Sequence, residues 1–131
     1  MEEKEILKEL IVDKEKLLRE SVAKAKDLIG IDQKTGDIVF KVPLSSLSVQ
    51  QKIGLYLVGK HFAHGLGLIK SSKASIDEMS WNLAIEKNNL GWRSSEMEAD
   101  GIIHSAGRGK FQIAPGKVID ILDDIVKKRS E

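Results

Sequence analysis

Apolar residues recur at Leu7, Leu10, Ile11, Leu17, Leu18, Val22, Ala25, Leu28 and Ile29, at spacings of three and four with charged residues between them. That period predicts one amphipathic helix over residues 2–29, with Gly30 as its terminator. Leu7, Ile11, Leu18 and Ala25 also fall on a heptad-like line, which Lys14 and Ser21 interrupt. Two placements follow: the helix packs on its own domain, or it pairs with a second copy. Left alone it would expose too much leucine. Asp32 to Gly36 is turn chemistry. Ile38, Phe40 and Val42 then alternate with Asp37, Val39 and Lys41 up to Pro43, which predicts a hairpin or single strand over 31–43.

Ser48 and Gln51 match a capping box. Behind it Val49, Ile53, Tyr56, Leu57 and Ala63 share a helical face. Gly54 and Gly59 permit close approach of another element, and Gly65 and Gly67 stop the helix. Leu66 to Ile69 reads as a short strand. Ser75 and Glu78 form a second capping box, opening a helix with Ile76, Met79 and Leu83 on one face and an end near Ile85. Asn88 or Asn89 is expected to cap a third helix running to about Asp100, with Leu90 and Met97 inward and Gly101 as its stop. Two strands follow, Ile102 to His104 and Lys110 to Ala114, around the glycine-rich turn 105–109. Phe111 and Ile113 share one face of the second strand. After Pro115-Gly116, Val118, Ile121, Leu122 and Ile125 mark a last helix, with Lys127, Lys128 and Arg129 at its negative end.

The 131 residues suit one domain. It divides into an N-terminal helix (1–30), the hairpin or strand (31–43) and the main body (44–131). Aromatics are only 5%, so the core must be aliphatic, and Trp81 and Trp92 read as packing residues. The absence of cysteine removes disulfide scaffolds, thiolate metal sites and cysteine nucleophiles. There is no phosphate-binding Gly-Lys-Ser/Thr loop, dinucleotide fingerprint or nucleophile elbow. An enzyme is not expected, nor any cofactor. His61 and His64 can share a helical face but lack further ligands, so no metal is expected. No apolar run has membrane-span length and the start MEEKEILKEL is too charged for a secretory signal, so the expectation is a cytoplasmic protein without a membrane partner.

The net charge of +1 hides an uneven distribution. Residues 1–43 hold 9 Lys+Arg against 10 Asp+Glu, and residues 44–131 hold 12 against 10. Lys52, Lys60, Lys70 and Lys73 occupy one stretch without acids; Arg108, Lys110 and Lys117 occupy another. Such local patches suit a polyanion.

From residue 48 to 114 the order is helix, short strand, helix, tight turn, helix, strand, glycine-rich turn, strand. It resembles the winged helix-turn-helix domain, most specifically from Ser75 to Ala114. Ser75–Ile85 resembles the first helix of the helix-turn-helix, the segment through Glu96-Met-Glu-Ala-Asp-Gly101 the second helix with its glycine exit, and His104–Ile113 the wing. The resemblance implies an α+β fold with a winged helix-turn-helix core, a small hairpin wing and additional N- and C-terminal helices. It also implies duplex DNA as partner, a regulator of transcription and a homodimer. The second helix would offer Asn88, Asn89, Trp92 and Arg93 to the major groove, and the wing would offer Arg108 and Lys110 to phosphates. Residues 86–100 are net −2, with Lys87 and Arg93 against Glu86, Glu96, Glu98 and Asp100, and Ser94 stands where a bulky core residue is usual. Those departures keep open a second use of the scaffold, binding another protein without reading DNA sequence.

Overall fold

The computed structural model describes residues 2–129. The N-terminal stretch is not one helix. A five-residue α1 (Glu3–Leu7) runs into a 3-10 turn (Lys8–Leu10), and α2 (Lys14–Ala25) starts afresh. Asp13 causes the break: its carboxylate accepts from the backbone N–H groups of Glu15 at 3.0 Å and Lys16 at 3.2 Å, as an N-cap. The β-branched pair Ile11 and Val12 precedes it and disfavours helical continuation. Gly30 is not a helix terminator either. It lies inside β1 (Ile29–Ile31), which pairs antiparallel with β2 (Ile38–Phe40) in the register Ile29 to Phe40, Gly30 to Val39 and Ile31 to Ile38. In the connecting turn the Asp32 carboxylate accepts from the N–H of Lys34 and of Thr35, which holds its pKa below the usual carboxylate range.

Helix α3 (Val49–Gly65) is the centre of the molecule. Ser48 and Gln51 cap it reciprocally, at 3.1 and 3.0 Å. Buried residues run without interruption from Ile53 to Val58 and on through Gly59, so α3 is enclosed on all sides rather than amphipathic. Its glycines admit neighbours: a Cβ on Gly54 would sit 3.1 Å from Ile121, and one on Gly59 would sit 2.8 Å from Ile38. Helix α3 ends in a Schellman motif. Gly67 takes φ 76°, its N–H donates to His64 O, and the N–H of Leu68 donates to Ala63 O. That motif consumes the segment expected to be a strand. The strand comes later, as β3 (Ala74–Ser75).

Ser75 caps α4 (Ile76–Leu83) by accepting from the Glu78 N–H at 3.0 Å. The helix ends at Leu83, two residues before Ile85; Ala84 follows in the left-handed region, and the Ser80 hydroxyl donates to Ile85 O at 2.6 Å. Helix α5 (Lys87–Ala99) follows, buries Leu90, Ser94 and Met97, and ends in a second Schellman motif at Gly101. Strands β4 (Ile103–Ser105) and β5 (Lys110–Ile113) then complete an antiparallel sheet in the order β3-β5-β4. A 3-10 turn (Pro115–Lys117) leads into α6 (Val118–Arg129), which packs on α3 and α2. The fold is thus α+β with two small antiparallel sheets, and among the described residues no helix is long and apolar enough to cross a membrane.

Candidate nucleic-acid interface

The exposed surface of α5 is set by which of its residues face inward. Leu90, Ser94 and Met97 are buried, so positions 88, 92 and 95, and 89 beside them, fall on the opposite side. Asn88 and Asn89 are exposed there. Neither caps the helix: the N-cap is Glu86, which makes no side-chain cap bond, and the two amides stand in the first turn. Trp92 is 63% exposed, contrary to the packing role expected from the sequence.

Arg93 is placed differently from its three neighbours. It is half-buried, its guanidinium lies 4.8 Å from the centroid of the Trp92 ring, and Nη1 pairs with Glu96 Oε1 at 3.3 Å. Arg93 therefore steadies the indole by cation–π contact before it can meet a base or phosphate. Lys87, the other cation of α5, pairs with Asp77 of α4 at 2.9 Å. Ser94 is fully buried and its hydroxyl has no partner among the described residues.

The β4–β5 turn is built differently. Gly107 and Gly109 adopt φ 124° and 67°, backbone that a side chain would strain, and the N–H of Lys110 closes the turn on Gly107 O. Arg108 at the tip and Lys110 at its base are both exposed. Neither has an ion-pair partner among the described residues. The hairpin is fixed relative to the helices: the Ile76 N–H donates to Gly109 O at 2.9 Å, and Ser75 of β3 pairs with Lys110. Ala74 and Phe111 turn inward as a cross-strand pair, so alternation puts Lys110, Gln112 and His104 on the outer face of the sheet, and Lys73 is exposed just ahead of β3.

No family model matches the chain, and no curated protein or solved structure matches it. The site accordingly stands on its own geometry.

Two cations of the acid-free stretches are committed internally. Lys60 pairs with Glu78 at 2.8 Å, only 15% exposed, and Lys117 pairs with Asp120 at 3.6 Å. What remains outside is the exposed Lys70 and Lys73 ahead of β3 and the Arg108–Lys110 tip, with Lys52 half-buried at the start of α3. Sequence reasoning missed Trp81, which stands 87% exposed on α4. The signal was present, since Met79 and Leu83 define the inward face and Trp81 falls about 200° from Met79. His61 and His64 sit elsewhere, on the far end of α3. Burial and then the neighbouring His64 hold the His61 pKa below 6.5. Among the described residues no group of three His, Asp or Glu could hold a metal ion.

Proposed function

We propose that residues 49–113 form a winged helix-turn-helix unit, and that the protein binds duplex DNA as a homodimeric regulator of transcription. On this reading α4 and α5 are the helix-turn-helix, α5 enters the major groove, and the β4–β5 hairpin is the wing. The single observation carrying the reading is the wing. Two exposed cations without ion-pair partners flank a glycine in a turn tied to the start of α4. Cations so held can contact phosphates, and glycines let the backbone approach the sugar–phosphate chain. Asn88 and Asn89 are the base-reading candidates, because a carboxamide can bond adenine in two places. Arg93, already engaged by Glu96 and Trp92, supports Trp92.

A second reading has a specific observation behind it. Both cations of α5 are neutralised locally, while Trp81 and Trp92 are exposed on adjacent helices. Exposed tryptophan is characteristic of protein–protein hot spots. A titration with random duplex DNA at rising salt separates the two. DNA binding requires measurable affinity at low salt that falls steeply as salt rises. Absence of binding at low salt favours a protein partner.

A further inference from the structure

The residues before α2 are stranded. Every position from 2 to 20 is exposed, and neither α1 nor the 3-10 turn after it buries a residue. Yet this short arm carries Ile6, Leu7, Leu10, Ile11 and Val12, with Leu10 and Ile11 at 76% and 75% exposure. A helix of five residues with nothing packed on it does not hold in water, because nucleation costs more than so few hydrogen bonds return. The arm's helical form and aliphatic load both call for a cover.

The same chain has an unfilled apolar groove. It opens between α2, β1 and the end of α3, encloses about 580 Å³, and has walls that include Leu18, Val22, Phe62 and Leu66. Its lining contains one cation, Lys26, and no carboxylate. The arm has the opposite bias: residues 2–12 hold Glu2, Glu3, Glu5 and Glu9 against Lys4 and Lys8, net −2. Apolar surface and charge therefore match between two surfaces that do not touch within the folded chain.

We propose that the groove is filled by residues 3–12 of a second copy, and that two chains exchange arms about a two-fold axis. The exchange places Ile6, Leu7, Leu10 and Ile11 of one protomer against Leu18, Val22 and Phe62 of the other, with the arm's glutamates on the side of Lys26. Reciprocal exchange covers both surfaces twice, and swapping an identical element is a low-cost route to a dimer. The proposal deepens the homodimeric part of the function proposed above and is independent of its DNA-binding part.

The chain has no cysteine, so single substitutions report unambiguously. Leu10→Cys and Leu66→Cys, purified separately with tags of different length, are mixed and mildly oxidised. The expected product is a disulfide-linked heterodimer near twice 14.5 kDa, formed at least tenfold faster than when Arg108→Cys replaces Leu10→Cys. Leu10→Glu with Ile11→Glu should convert the dimer to monomer by light scattering. The circular dichroism of residues 14–129 should persist, because neither side chain is buried. A monomeric wild-type protein, a dimer that survives the two glutamates, or a Leu10→Cys/Leu66→Cys mixture that cross-links no faster than the Arg108→Cys control would each overturn the exchange. Salt-dependent DNA binding measured on the wild-type protein shows separately whether the DNA-binding reading stands.

Discussion

One carboxylate fastens α4 to α3. Glu78 Oε2 accepts from the Tyr56 hydroxyl at 2.6 Å and pairs with Lys60 at 2.8 Å. Burial, and after it the Glu78 carboxylate, pushes the Tyr56 hydroxyl far above its ordinary pKa. Tyr56→Phe leaves the ion pair intact and should cost about 1 kcal/mol. Glu78→Ala strands both partners and should cost roughly 2–3 kcal/mol, since unsatisfied part-buried donors bear their desolvation. Urea unfolding of both variants checks the order, and equal losses would mean Lys60 contributes nothing. His61 supplies a pH signature. Its folded pKa is depressed below 6.5, so the unfolded chain binds more protons and stability falls as pH drops from 6.5 through the folded value. Proton-detected titration of His61 should give a midpoint under 6.5, and His61→Gln should flatten that part of the stability profile. Asn89→Ala should change preference among duplex sequences without changing the melting temperature, because Glu86 rather than Asn89 occupies the cap. A melting shift with unchanged preference would make Asn89 structural.

Glycine positions set how closely the elements approach one another. Three atoms of Ile38 lie within 3.0 Å of where a Gly59 Cβ would stand. Gly59→Ala gains about 1 kcal/mol of helix propensity but forces β2 outward, at a typical overpacking cost of roughly 1–3 kcal/mol. Net destabilisation is expected, with Ile38→Val restoring part of it. No coupling between the two in a double-mutant cycle would contradict the close approach. The sequence made several elements legible because their signals are local. Ser48 with Gln51, Ser75 ahead of α4 and Gly101 after α5 each act through atoms within a few residues. The alternation around Phe111 and Ile113 marked β5 correctly. Helix α1–α2 misled because the apolar period continues across Asp13 even though the backbone does not. Strand β3 was illegible: two residues become a strand only through pairing with Phe111 and Lys110. Helix α3 read as amphipathic because its enclosure depends on α6 and the hairpin arriving from distant sequence.

At the scale of the molecule, the exposed residues divide into a wing with free cations, an α5 whose cations are paired, and an uncovered N-terminal arm. The candidate site was legible as residue types: Asn88, Asn89, Trp92, Arg108 and Lys110 are all exposed. Which charges are available was not legible, because the pairs Lys87–Asp77 and Lys60–Glu78 form between different helices. That partition makes the wing the decisive place to test DNA binding. The most direct measurement is the salt dependence of affinity for random duplex DNA, compared between the wild type and Arg108→Ala with Lys110→Ala. Both side chains are exposed, so each change should alter stability by no more than about 0.5 kcal/mol and the melting temperature should hold. The wing reading predicts weaker binding to every duplex alike and a salt slope shallower by roughly one unit for each phosphate that the variant no longer neutralises. Unchanged affinity and unchanged slope in a folded variant would contradict it.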